Sequence, residues 1–294
     1  MTTALPVNDR VTFEVIVQAE RTIAEKLDCD VIHFFGEIRS GVESHIRDVV
    51  EVLAARADKK NALGVCLTTP GGQAEVVEKC VEILRHHYEY LYFIVPRMAM
   101  SAGTLFCMAG DKIYMDYASS LGPIDPQVPD RDGKYLVPAL GYLDKVAELI
   151  EKSRNDTITP AEFMLIEKQD LAMLRFYEQA RELSKTLLKQ WLTKYKFKDW
   201  EVHQTTNPGT PVTLAQKTER AEEIATLLSD NGHWSSHGRF IGMETLRNQL
   251  RLKIEDFGED PDLQDAVRRY CEVFSTFCAE RGIPSYVYSS HTMN

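Results

Sequence analysis

The 294-residue chain has none of the long apolar runs that mark a membrane-spanning protein. A transmembrane helix needs roughly 20 consecutive apolar residues, and no segment approaches that length. The first residues, Met1–Pro6, also lack the basic and apolar regions of a secretory signal peptide. We therefore expect a soluble cytoplasmic protein with no membrane anchor.

Cysteine and histidine are too few and too scattered to build a metal site. The six cysteines form no CxxC pair and lie mostly in apolar runs, so we interpret them as reduced core residues. His86 and His87 are adjacent rather than one helical turn apart, and no HExxH motif occurs. A GxGxxG nicotinamide fingerprint is also missing. The sequence predicts neither a metal nor a cofactor.

Basic residues are fewer than acidic ones, which gives the chain a net charge of −10. Nucleic-acid binding needs a positive face for the phosphates, so we expect no nucleic-acid partner. With 44% hydrophobic and 27% charged residues, the composition is that of a soluble protein with a sizeable core. The length suits one large domain or two modest ones.

Apolar runs of strand length alternate with helically periodic segments in the first part of the chain. The strand-like runs cover residues 31–35, 62–68, 90–95 and 112–116. The helical segments cover residues 9–27, 42–57, 74–86 and 101–109. This alternation with short links predicts an α/β fold with a largely parallel sheet and right-handed crossovers.

Beyond about residue 140 the pattern becomes mainly helical. Helices are predicted at residues 140–153, 159–196, 212–230, 243–250 and 261–281, and a loose polar tail follows. We therefore divide the chain into an α/β core, residues 1–140, and a helical C-terminal extension, residues 141–294.

Two short motifs carry the strongest chemical signal. TTPGGQ (Thr68–Gln73) and MSAGTL (Met100–Leu105) each follow a predicted strand and open a predicted helix. The carboxyl ends of parallel strands meet at one crevice, where sites form. Ser101 would supply a nucleophile, while Gly71, Gly72 and the helix N-terminus would supply N–H donors for an oxyanion. From the residues alone, Ser101 as a helix N-cap and the glycines as a tight turn stay open as alternatives.

The two motifs, followed by GPIDPQ (Gly122–Gln127), resemble the serine dehydrogenase proteinase family. That family is a branch of the Clp-like serine peptidases, related to signal peptide peptidase A and more distantly to the crotonases. The resemblance is dense from about residue 30 to 152, with a weaker echo near 230–255. Ser101 lies 29 positions after Gly72, the separation that Clp peptidases keep between oxyanion glycine and nucleophile.

The resemblance implies a Clp/crotonase-like spiral of βαβ units whose helical C-terminal part contributes to the site and to oligomerisation. It further implies a serine peptidase, a hydrolase that cleaves polypeptide substrates and assembles as a homo-oligomer. Ser101 would be the nucleophile. The N–H groups of Gly72 and Ala102 would form the oxyanion hole, with Gly71 in support.

The general base is the open question, because no histidine lies between His87 and His203. Asp125 stands where Clp peptidases carry their histidine. Relatives in the signal peptide peptidase branch use a lysine, and Lys145 best matches that position, with Lys152 second. The resemblance therefore favours a Ser–Lys dyad.

A lysine base has a physical rationale. If Leu143, Val146 and Leu149 wall off Lys145 from water, desolvation lowers its pKa toward neutrality, and it can take the serine proton. The alternative is that Lys145 is an ordinary surface residue of a helix.

His237, in a polar loop, is the third candidate base. A loop that folds back to the crevice would give a Ser–His pair in unusual chain order, whereas a structural or substrate-contacting role is the alternative. Separately, Asp125 would orient a partner or only cap a turn. Two other functions also stay open. One is crotonase-like chemistry on an acyl-thioester without a covalent intermediate, and the other is a non-catalytic oligomeric scaffold of the same fold.

Overall fold

The computed structural model describes residues 7–129, 132, 136–203 and 208–292. The helices are α1 Val7–Leu27, α2 Val42–Ala54, α3 Ala74–His87, α4 Ala102–Cys107, α5 Ala139–Arg154, α6 Pro160–Glu167, α7 Leu171–Trp191, α8 Leu214–Ser229, α9 Asn231–Trp234, α10 Met243–Asn248 and α11 Pro261–Glu280. The strands are β1 Asp30–Gly36, β2 Ala62–Thr68, β3 Tyr90–Ile94, β4 Met98–Ala99, β5 Lys112–Met115, β6 Ser120–Leu121, β7 Gln127–Pro129, β8 Leu136–Pro138, β9 Ile241–Gly242, β10 Glu255–Asp256 and β11 Ser285–Tyr288.

Among the described residues, the main sheet has six strands in the order β10-β5-β3-β2-β1-β11. All neighbours are parallel except β11, which pairs antiparallel with β1. Every residue of β2 is buried. A strand covered by helices on both faces has no polar face, which is why it reads as a continuous apolar run. The predicted α/β class with a largely parallel sheet is confirmed.

Two apolar layers cover the sheet. On one side α2, α3 and α4 pack through residues such as Ile46, Val77 and Phe106, with α7 and α8 beyond them. On the other side α1 packs on α11 through Ile16 and Val267 among others. The six cysteines are buried and unpaired, as the sequence predicts.

A second, three-stranded sheet positions the site. Its order is β4-β6-β9, with β4 and β6 parallel and β9 antiparallel to β6. Each of these strands has only two residues, too short for a periodic pattern, so the sequence did not reveal them. Segments far apart in the chain therefore meet at this sheet.

Two secondary-structure predictions were wrong. The single helix predicted at 159–196 is broken into α6 and α7, and a π-helical turn, Leu192–Lys196, follows α7. The break occurs because Asp170 caps a new helix by accepting hydrogen bonds from the N–H groups of Ala172 and Met173. The predicted loose tail contains β11, which pairs with β1.

A fully buried histidine in β1 predicts an acid-sensitive fold. The ring of His33 stacks on Phe274 at 4.3 Å, and neither of its nitrogens has a hydrogen-bond partner among the described residues. Burial lowers the pKa of His33 from 6.5 to about 3. Below pH 6.5 the unfolded chain therefore takes up a proton that the folded chain refuses. Stability falls between pH 6.5 and about 3 and does not depend on this group at higher pH.

We expect the His33→Phe variant to lose this dependence. The difference in unfolding free energy between wild type and variant should change by about 1.4 kcal/mol per pH unit below pH 6. Urea titrations at pH 7, 6 and 5 measure it. A difference that stays constant across this range would contradict the assignment.

Candidate active site

The glycine motif and the serine motif lie side by side. Thr69, just after β2, pairs with the β4 segment: its N–H donates to the Met98 carbonyl, and its carbonyl accepts from the Met100 N–H, both at 3.0 Å. An added Cβ at Gly71 would lie only 2.9 Å from the Ser101 Cβ. The backbone of the glycine loop therefore packs directly against the serine.

Gly72 offers a free N–H at this position. It has a φ of +146°, and a Cβ there would lie 2.0 Å from the Ile38 carbonyl oxygen. Only glycine fits, because Ile38 bonds to the residues on both sides: it donates to the Gly71 carbonyl and accepts from the Gln73 N–H. The Gly72 N–H itself has no acceptor among the described residues. By contrast, the Gly71 N–H donates to Thr69 Oγ1 at 3.0 Å and is not available.

Ser101 has a strained backbone, with φ +52° and ψ −116°. Such a conformation costs on the order of 1–3 kcal/mol for a residue other than glycine, and it is typical of functional sites. Its side chain makes no capping hydrogen bond to α4. Ser101 therefore occupies the N-cap position of α4 without capping the helix through its side chain. Ala102 is the first residue of α4, so its N–H has no acceptor within the helix.

Thr104 connects α4, the helix that Ser101 precedes, to the segment that carries Asp125. Sequence analysis missed this role. Its buried hydroxyl accepts a hydrogen bond from the Gly122 N–H at 2.9 Å. The same hydroxyl can donate to the carbonyl oxygen of Gly122 at 2.8 Å or of Ala99 at 2.9 Å. The only available signal was the threonine three positions after the serine in MSAGTL.

Asp125 and His237 form a hydrogen-bonded pair although 112 positions separate them. His237 Nδ1 lies 2.9 Å from Asp125 Oδ1, while Asp125 Oδ2 accepts from Gln127 Nε2 at 3.0 Å. The aspartate is fully buried, and the histidine side chain is one quarter exposed. Since a carboxylate only accepts hydrogen bonds, a proton lies on His237 Nδ1, and in the neutral imidazole Nε2 is then the acceptor.

The three-stranded sheet directs the segments that carry Ser101, Asp125 and His237 to the same end of its strands. Ser101 follows β4 by two residues, and Asp125 follows β6 by four, so both leave from the same end of two parallel strands. β9 is antiparallel to β6, so His237, four residues before β9, reaches that end from the opposite chain direction. The strand arrangement thus directs these three segments to the same end of the sheet, and among the described residues no hydrogen bond joins the Ser101 hydroxyl to His237.

The burial that a lysine base requires is not found. The Lys145 side chain is 56% exposed, and its Nζ donates to both carboxylate oxygens of Glu148 at 2.8 and 3.0 Å. Lys152 pairs with Glu162 and Glu148, and these hydrogen bonds raise the pKa of Lys152, opposite to what a base needs. Of the predicted apolar walls, only Leu149 is buried. Helix α5 is covered on one side only, so both lysine side chains remain in contact with water.

Within the ranges that the structure describes, no helix is both long enough and apolar enough to cross a membrane.

Two proteins of Methanocaldococcus jannaschii are similar in sequence. "Uncharacterized protein MJ0137" is 29% identical over 199 residues, which is 62% of this chain and 64% of that protein. "Uncharacterized protein MJ1495" is 29% identical over 186 residues, 62% of this chain and 59% of that protein. The chain thus spans about three fifths of the length of these curated relatives.

Two solved structures of mutants of the 1510-N membrane-bound stomatin-specific protease are also similar. One has a TM-score of 0.44 and 14% identity, and covers 76% of each chain. The other, in complex with a substrate peptide, has a TM-score of 0.43 and 15% identity, and covers 76% of this chain and 72% of that one.

The family described as ClpP-like SDH-type serine proteinase matches residues 31–210. This range contains the glycine loop, the strained serine and Asp125, and it covers more than half of the chain. His237 follows it. The chain belongs to the ClpP-like SDH-type serine proteinase family.

Proposed function

We propose that this protein is a serine peptidase that cleaves polypeptides through an acyl-enzyme on Ser101. One observation carries the proposal: the strained Ser101, whose side chain makes no capping bond, lies against the loop of Gly71 and Gly72, where the Gly72 N–H has no acceptor among the described residues. The family assignment supports the same reaction class. The proposal also includes the cytoplasmic location that the sequence predicts and the homo-oligomer that the family resemblance implies.

We assign His237 as the general base and Asp125 as the residue that orients it. The Asp125 carboxylate accepts a hydrogen bond from Nδ1–H, which holds the imidazole in the tautomer whose Nε2 can accept a proton. The Ser101 hydroxyl attacks the substrate carbonyl carbon while its proton passes to Nε2. The N–H groups of Gly72 and Ala102 stabilise the oxyanion that forms.

His237 also transfers the protons in the remaining steps. Collapse of the tetrahedral intermediate breaks the C–N bond, and His237 returns the proton to the leaving amine. Water then attacks the acyl-serine ester and gives one proton to His237; the C–Oγ bond breaks, His237 returns the proton to Ser101 Oγ, and the carboxylic acid product leaves. No metal or cofactor is needed to balance these steps.

The Ser–Lys dyad is the alternative base arrangement. It requires Lys145 to leave the Glu148 carboxylate and enter the crevice, whereas the Asp125–His237 pair is already formed. The crotonase-like alternative needs the oxyanion donors but no nucleophile, so it gives no reason for the strain at Ser101.

A fluorophosphonate probe tests the nucleophile. We expect the probe to label the wild-type protein on the peptide that contains Ser101, because this residue is partly exposed and packs against the glycine loop. Ser101→Ala should abolish labelling, and the matched control Ser153→Ala, on exposed helix α5, should label like wild type. Persistent labelling of Ser101→Ala, or none of the wild type, would count against an activated Ser101.

Loss of the oxyanion donor should reduce turnover rather than substrate binding. In Gly72→Ala the added Cβ, 2.0 Å from the Ile38 oxygen, forces the loop to move and shifts the N–H away. We expect kcat to fall about 10²–10³-fold with a much smaller change in KM. Gly209→Ala is the control, since Gly209 also has positive φ but no atom of the described residues lies within 4 Å of its added Cβ. Equal losses in the two variants would show that backbone strain, not the donor, limits activity.

A further inference from the structure

The hydroxyl of Thr104 lies between the ends of the two strands that lead into the site. Thr104 belongs to α4 and is fully buried. Its Oγ1 lies 2.9 Å from the carbonyl oxygen of Ala99, the last residue of β4. It also lies 2.9 Å from the nitrogen and 2.8 Å from the carbonyl oxygen of Gly122, which follows β6. One side chain therefore holds the helix after Ser101 against the segment that runs on to Asp125.

The Gly122 backbone also contacts the start of α4 directly. A Cβ added at Gly122 would lie 3.5 Å from the backbone nitrogen of Ser101. Any movement of Gly122 away from the Thr104 hydroxyl would thus be a movement relative to the nucleophile itself. Because the Gly122 N–H is buried and Thr104 is its acceptor, that hydrogen bond is costly to break.

The last turn of α8 holds the aspartate–histidine pair from the other side. The Leu228 carbonyl accepts from the N–H of Ile124, which directly precedes the aspartate, at 2.9 Å. The Leu227 carbonyl accepts from Trp234 Nε1, three positions before the histidine, at 2.7 Å. Both partners of the pair are therefore attached to one helix end. The nucleophile belongs to a separate unit, which meets this one at Gly122.

Proton transfer depends on how these two units are placed. A general base must come within about 2.6–3.2 Å of the hydroxyl that it deprotonates. In the part of the chain that the structure describes, Ser101 and His237 share no hydrogen bond, so their approach is set by the elements that carry them. We propose that Thr104 is a positioning residue whose hydroxyl fixes the nucleophile helix against the Asp125 segment and so aligns Ser101 with His237. This inference rests on the proposed function.

Two substitutions separate the hydroxyl from the shape of the side chain. Thr104→Val keeps the shape but leaves the Gly122 N–H without its acceptor. We expect kcat on a peptide to fall about 10²-fold, the effect of a misplacement near 1 Å, with KM changed less than about 3-fold. Thr104→Ser keeps the hydroxyl and should restore kcat to within about 3-fold of wild type.

Ser119→Ala is the matched control for lost stability. The buried Ser119 hydroxyl also accepts from a backbone N–H, that of Asp116 at 2.9 Å, and can donate to a carbonyl, that of Val95 at 2.6 Å. It lies at the other end of β6 from the site. Urea unfolding should show a similar destabilisation in Ser119→Ala and Thr104→Val, whereas kcat should fall only in Thr104→Val.

A double-mutant cycle with His237→Ala gives the decisive measurement. Without the imidazole there is no base to align, so adding Thr104→Val should change the residual hydrolysis of an activated ester less than about 3-fold. The same loss in both backgrounds would overturn the inference, as would a wild-type kcat in Thr104→Val or a Thr104→Ser variant as slow as Thr104→Val. A wild type that neither hydrolyses peptide nor takes the fluorophosphonate label on Ser101 would instead overturn the proposed function, and this inference with it.

Discussion

Ser101→Ala should reduce peptide hydrolysis by roughly 10⁴-fold or more, since no other side chain would replace the attacking oxygen. The hydroxyl makes no capping bond, so its removal should change the unfolding free energy by less than about 1 kcal/mol. Initial rates on a fluorogenic peptide and urea unfolding of the same preparation measure the two effects. Near-normal hydrolysis by the folded variant would exclude Ser101 as the nucleophile.

The backbone of Ser101 provides a matched second variant. Ser101→Gly should be as inactive as Ser101→Ala yet more stable by about 1 kcal/mol, because glycine accepts positive φ without strain. A glycine variant no more stable than the alanine variant would show that this backbone is not strained.

His237→Ala should lower kcat by about 10³-fold or more, close to the loss from Ser101→Ala, because a nucleophile and its base act as one unit. Asp125→Asn should also lose about 10²-fold or more, since an amide N–H would face Nδ1 and favour the wrong tautomer. Added imidazole should restore part of the rate in His237→Ala and none in Ser101→Ala.

Lys145→Ala is the comparison that separates the two candidate bases. An exposed lysine paired with Glu148 should be replaceable with less than a few-fold change in kcat. Lys152→Ala should behave in the same way. A dead Lys145→Ala beside an active His237→Ala would replace the proposed triad with the Ser–Lys dyad.

The parts of this molecule that the sequence predicted are those with a local signal. The parallel strands were predicted because both of their faces are buried, and the glycine and serine motifs because each sits at a strand end. The break at Asp170 was also readable, as an aspartate before an apolar segment is a typical helix start. The helical pattern that runs through residues 159–196 nevertheless predicts one continuous helix there.

The rest of the site depends on contacts between distant segments. No local pattern links Asp125 to His237, because the two-residue strands β6 and β9 that bring them together carry no periodicity. The exposure of Lys145 was equally hidden, since the sequence cannot say which side of α5 is covered. Apolar residues close to Lys145 in the sequence, such as Val146, are only partly buried and do not form an apolar pocket around it.

The most direct test of the central claim is to locate the acyl group during turnover. Hydrolysis of an activated ester is stopped with acid within the first turnover, and the digested protein is mapped by mass spectrometry. We predict an acyl group on the Ser101 peptide, in an amount equal to the initial product burst, and none in Ser101→Ala. Product release without an acylated Ser101 peptide, or an acyl group on another residue, would contradict the acyl-enzyme mechanism.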